Sequence, residues 1–176
     1  MKAWKHLKTV LYHRHLVMIH CFKVGLFKQG LLHDLSKLSP SEFFVGVKYY
    51  QGSRSPNDAE RRAVGYSGAW LHHKGRNKHH YEYWIDYSVR ETPGGVAPVP
   101  MPLKYVIEML MDRVAACKVY NRGCYTDDMA LKYYENGRDR IMPIHDDTRE
   151  LLEKLLHMLA DEGEKATFAY IRKILR

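Results

Sequence analysis

Leu31-Leu32-His33-Asp34-Leu35-Ser36-Lys37-Leu38-Ser39-Pro40-Ser41-Glu42 is the stretch on which the reading of this chain turns. Two leucines lead into an adjacent His33 and Asp34 at what reads as a helix boundary, and a second helix start follows at once. A neutral imidazole and a carboxylate are both good ligands for Zn, Mn or Fe. Sequence neighbours reach one ion only from a bent or terminal stretch of helix. The apolar lead-in buries the pair, and a buried Asp needs a cation or hydrogen bonds to stay charged. The bland alternative is a helix-capping Asp beside a surface His. Ser39 can cap the next helix, Pro40 suits its first position, and Glu42 can reach back as in a capping box.

Upstream, residues 3–28 read as one long helix. Leu7, Val10, Leu11, Val17, Met18, Cys21, Val24 and Phe27 recur at three- and four-residue steps, with Gly30 closing it. His13 and His20 share a face with Val10, Val17 and Val24, so at least one points into a polar pocket. His13 is preferred and His20 is the alternate, while His6 and His15 face solvent. A short helix spans Leu31 to Lys37. Downstream, helical patterns hold Phe43 to Tyr50, Ala59 to about His73, and Tyr105 to Ala115. Others run to Tyr134, from about Asp147 to Leu159, and from about Glu164 to Leu175. Residues 92–102 read as a surface loop or flap. No strand is convincing, and the fold expected is all-α: a single-domain helical bundle.

Four histidines fall within Trp70-Leu71-His72-His73-Lys74-Gly75-Arg76-Asn77-Lys78-His79-His80. Each imidazole costs desolvation if buried, and metal ligation accounts for two such pairs better than packing does. Helical neighbours point about 100° apart, so not all can ligate. His73 and His79 are favoured, with His72 and His80 as alternates. Arg76 and Asn77, near Lys74 and Lys78, put donors where an anionic substrate would be held. Asp112 lies mid-helix among apolar residues. It is either an exposed partner of an Arg or a ligand, with Glu108 one turn earlier as its competitor.

Composition bounds the rest. A chain of 176 residues favours one domain. A formal charge of +8 favours anionic partners: phosphorylated small molecules, nucleotides, nucleic acid or an acidic membrane surface. No apolar run is long enough to span a bilayer, and lysines interrupt every candidate signal sequence, so no membrane partner is expected. Cys21, Cys117 and Cys124 lack a C-x-x-C pair, which points to free thiols in a reducing cytoplasm.

His13, then His33-Asp34, then Asp112 is the order found in the HD-domain metallohydrolase superfamily, which the chain resembles. Lys37, three residues after the Asp, fits the same pattern, and the His72–His80 cluster occupies the interval where two-metal members insert further histidines. More narrowly, H-D-L-S-K-L-S-P-S-E-F and R-N-K-H-H-Y-E-Y-W resemble a family of small bacterial and phage-borne proteins of uncharacterised function, over residues from about 5 to 120. The resemblance implies an HD-type metal-binding core at 1–125, with helices at 126–176 packed on it as part of the same domain. It implies one or two divalent ions (Mn, Fe, Zn, Co or Mg) held by His13, His33, Asp34, His73, His79 and Asp112. The activity implied is hydrolysis of a nucleotide or other phosphate ester by metal-activated water. In it Lys37 and Arg76 neutralise phosphate, Asn77 orients substrate, and His80 or His72 shuttles a proton. The cluster lacks the glycine-rich signature of cyclic-dinucleotide phosphodiesterases, so that substrate class does not carry over. The alternatives are a di-iron oxygenase of the same fold, and a basic nucleic-acid-binding module with a structural metal.

Overall fold

The computed structural model describes residues 1–137 and 142–176. Two long helices position everything else: α1 (Lys2–Lys23) and α6 (Leu103–Tyr120). Between them run α2 (Phe27–Leu32), a 3-10 turn (Leu35–Leu38), α3 (Pro40–Tyr49), α4 (Pro56–Val64) and α5 (Gly68–Lys74). A second 3-10 turn (Tyr81–Trp84) leads into strands β1 (Ile85–Tyr87) and β2 (Val96–Pro98), and α7 (Met129–Glu135) and α8 (Asp146–Ile174) follow α6. The fold is mostly α, as the periodicity implies. No helix among the described residues is long and apolar enough to cross a membrane.

The differences from the sequence reading have local causes. The first helix stops at Lys23 because Gly25 takes a left-handed φ of 87°, so Phe27 belongs to α2. Gly30 is no terminator. It sits inside α2, where a Cβ would lie 3.0 Å from the Cys21 Cβ and 3.1 Å from the Met18 Cα, so its missing side chain lets α2 lie on α1. The helix expected to reach His73 is two, divided by a left-handed Gly65 that closes α4 and by Ser67, whose hydroxyl accepts the Trp70 N–H and starts α5. The aromatic segment and the proline-rich loop form a small antiparallel hairpin, pairing Ile85 with Pro98 and Tyr87 with Val96. Three-residue strands are too short to leave a period-two signature. Within α8, Gly163 breaks the helix at φ 79° and ψ 173°, close to where two separate helices were expected.

The largest apolar cluster lies where α1, α6, α7 and α8 meet: Val17, Ile107, Leu110, Met111, Val114, Leu152, Leu156 and Ile171 are buried there. The C-terminal helices thus share one core with α6. On α6, the pair Glu108 and Asp112 is spaced one turn apart and meets the histidines instead. One helix therefore joins the apolar core to the polar site.

Along the buried face of α1, His6, His13 and His20 recur every seventh residue, and each meets different surroundings. His6, expected at the surface, is buried against Phe43 and Tyr50, in space that exists because a side chain at Gly46 would collide with its ring. His13 enters the candidate site. His20 lies away from it, 3.2 Å from the Lys118 ammonium, which pairs with Glu164, and edge-on to Phe168.

Burial, with Lys118 beside it, lowers the His20 pKa from 6.5 to about 4. As pH falls the unfolded chain takes up this proton first, so stability present above 6.5 drains away between 6.5 and about 4. His20→Asn removes the loss. Denaturant titrations should show the acid-side fall in unfolding free energy shrinking by about 2 kcal/mol at about pH 5. Parallel curves for variant and wild type would mean that His20 does not titrate this way.

Candidate metal centre

The His33-Asp34 pair occupies the break between α2 and the following 3-10 turn. The His33 N–H still donates to the Gln29 carbonyl at 2.8 Å, closing α2. Asp34 then takes a left-handed φ of 52°, the only non-glycine among the described residues to do so. Such a conformation is costly for a residue with a Cβ and persists only where its surroundings impose it. Arg14 on α1 fixes the turn from outside, its Nε donating to the His33 carbonyl at 2.8 Å.

The two oxygens of Asp34, fully buried, face different groups. Oδ2 lies 3.3 Å from His33 Nε2 and 3.8 Å from His13 Nε2, and Asp112 Oδ1 stands 2.9 Å from His13 Nε2. Oδ1 lies 3.2 Å from His73 Nε2 and 3.4 Å from His79 Nε2, and His80 Nε2 is 2.9 Å from His73 Nε2. Three sets have ligand atoms within 4.8 Å of one another: His33–His79–Glu108 and, around Asp34, the pair His13–His33–Asp34–Asp112 and Asp34–His73–His79–His80. Asp34 is common to both. His13 Nε2, His33 Nε2, His79 Nε2 and both Asp34 oxygens are buried without a hydrogen bond of proper geometry. Buried polar atoms so placed call for charged partners; Lys37 is one for Asp34 Oδ2, and a divalent cation is a partner that either set could hold.

Two glutamates stand behind the histidines. Glu108 Oε1 is 3.0 Å from His33 Nδ1 and 3.2 Å from His79 Nδ1. Glu42 contacts His73 Nδ1 at 2.8 Å and His72 Nδ1 at 2.7 Å. An Nδ1–H donated outward to a carboxylate leaves the Nε2 lone pair aimed inward, the tautomer a metal requires. Glu42 therefore does not close the capping box expected at Ser39, whose hydroxyl makes no cap hydrogen bond. Glu108, the alternative to Asp112, meets the Nδ1 side of His33 and His79 and forms with them a group close enough to hold an ion.

Charge shapes the site in the same way. Burial alone would raise the Asp34 carboxyl, but His33, Lys37 and His73 hold it well below the ordinary range. Burial also works against protonation of His33 and His73, yet Asp34 beside both raises their pKa values. His80 goes the other way: burial, then His79 and His73, push it well down, and burial with Lys37 lowers His13. Without a cation, each half of the site thus has one imidazole disposed to carry a proton where a metal would sit.

All six residues expected as ligands converge here. Of the other four, Lys37 pairs with Asp34 Oδ2 at 2.5 Å. His80, expected as a proton shuttle, lies inside the second ligand set. Asn77 is not free for substrate, because its amide donates at 2.8 Å to both Ser36 Oγ and the His73 carbonyl, tying the 3-10 turn to α5. Arg76 lies outside the site: it is exposed, and its guanidinium folds back 3.2 Å onto the His72 carbonyl at the end of α5. Trp70, not foreseen, packs its ring 4.6 Å from that of His80 and 5.5 Å from that of His73.

The chain belongs to a family of unknown function, DUF5662, whose model matches residues 2–158 and so takes in every residue of this site. No curated protein and no solved structure matches it.

Proposed function

We propose that this chain is a metal-dependent phosphohydrolase acting on a nucleotide or other phosphate ester, in which Asp34 and the histidines around it would hold one or two divalent cations. The observation that carries the reading is the division of the Asp34 oxygens between two sets of buried imidazole and carboxylate atoms. The order of the ligands, and Lys37 three residues after Asp34, support it through the HD-domain resemblance. The donors, all imidazole or carboxylate, suit Mn, Fe, Co or Zn, and four carboxylates against one Lys37 leave negative charge for cations to neutralise. An ion held by these residues would supply Lewis-acid polarisation of a phosphoryl oxygen and a water acidified enough to give hydroxide near neutral pH.

The protein's own groups do the remainder. Lys37, His72 and Asp112 are more exposed than the buried histidines and Asp34, at 29%, 22% and 17% of their side chains. Lys37, with its pKa raised by Asp34 once burial is overcome, stays an ammonium and is the cation that meets phosphate oxygens. His72, partly exposed and held by Glu42 through Nδ1, is the histidine left over for proton transfer. The donor set also fits a di-iron centre, and an iron-loaded protein that consumes oxygen in turnover would replace the hydrolase reading with that one.

Elemental analysis of the purified chain should find up to two divalent ions per molecule, with Asp34→Asn losing both. Glu42→Gln touches only the His73 side and should weaken one ion about tenfold to a hundredfold, whereas Glu108→Gln, backing His33 and His79, should weaken both. Equal losses from the two glutamine variants would rule out two separately supported positions.

A screen of nucleotides and simple phosphate esters with Mn, Mg, Zn, Co and Fe tests the chemistry. Lys37→Ala should lower kcat/KM by roughly a hundredfold while keeping the metal. Full metal occupancy with no phosphate released from any ester would defeat the hydrolase assignment.

A further inference from the structure

The first acidic residue of the chain is Asp34, so α1 and α2 carry no carboxylate at all. On the side of α1 away from His6, His13 and His20, the spacing of Trp4, Lys8, Leu11, His15 and Phe22 makes one stripe. Trp4, Leu11, Phe22, Phe27 and Leu31 are 38 to 61% exposed, unusual for side chains of this size. The stripe continues onto α2: the Phe22 and Phe27 rings meet at 5.2 Å, and Arg14 donates to the Leu31 carbonyl at 3.3 Å, holding the end of α2 beside α1. Lys8 lies on the stripe, its ammonium 5.1 Å from the Trp4 ring, Lys5 borders it a quarter turn away, and Lys28 is exposed on α2.

The geometry points to peripheral docking of this two-helix face on an anionic lipid bilayer, beyond and independent of the metal chemistry. Aromatic and leucine side chains beside lysines, without any acid, match the interface of a charged membrane, where hydrocarbon and phosphate are offered together. A second copy of the chain fits poorly, since pairing the face with itself brings the lysines together. A nucleic acid fits the lysines but leaves Leu11 and Leu31 without apolar contact. The helices lie on such a surface and do not span it.

Cosedimentation of the full chain with vesicles of phosphatidylcholine and phosphatidylglycerol, against phosphatidylcholine alone, tests the proposal. Binding should be at least about tenfold tighter to the anionic vesicles, and Trp4→Ser with Phe27→Ser should weaken it by about tenfold. Both sites are exposed, so circular dichroism should show the fold unchanged. Vesicle binding that is equal in wild type and variant, or no preference for the anionic lipid, overturns the proposal. So does a variant that leaves vesicles untouched but alters the sedimentation of lipid-free protein or the binding of oligonucleotides; the face would then belong to a second copy or to nucleic acid.

Discussion

A carboxylate with neither oxygen exposed to solvent has to be neutralised from within the protein, and Asp34 is in that position. Five histidines and Lys37 lie around it, drawn from α1, the α2 boundary, α5 and the turn that follows. Burying a charge so completely costs more than any single neighbour returns, so the site stands or falls as a group. The left-handed backbone at Asp34 belongs to the same constraint, since it lets adjacent residues direct both side chains inward at the end of a helix. The close approach at Gly30 and the Arg14 hydrogen bond hold that turn against α1.

The inner histidines and carboxylates were legible because each leaves a mark in one dimension: an adjacent His-Asp after two leucines, paired histidines, an Asp among apolar residues. Glu108 stands out only as an alternative to Asp112 one turn away, and Glu42 leaves no such mark. Glu42 sits three residues after Ser39, where a capping box looks the same on paper, and only the fold brings His72 and His73 to it. Arg76 shows the opposite failure. It is close to the cluster in sequence, but the end of α5 turns its side chain back on its own carbonyl. Helix types were readable from period and caps. Breaks were readable only where a glycine coincided with a change of pattern, as at Gly163, and were missed at Gly25 and Gly65, where the periodicity runs straight through.

α6 explains why site and stability are not separable in this fold. Ile107, Leu110, Met111 and Val114 are fully or almost fully buried in the apolar core shared with α8, while Glu108 and Asp112 meet the histidines from the same helix. A shift of α6 that eased packing on one side would carry two carboxylates out of register on the other. α7 and α8 therefore contribute to the site indirectly, by fixing the helix that presents half of its acidic groups.

The net charge of +8 has less bearing on the site than on the rest of the molecule. Around Asp34 the fixed balance is negative: Asp34, Asp112, Glu108 and Glu42 face one lysine, and the lysines of α1 and α2 lie on an outer face. An anionic substrate would be repelled by the bare cluster. In the proposed chemistry the cations consequently do more than activate water. Held by these residues, they would also offset the carboxylate charge, so that binding of a phosphate and its hydrolysis would depend on metal together.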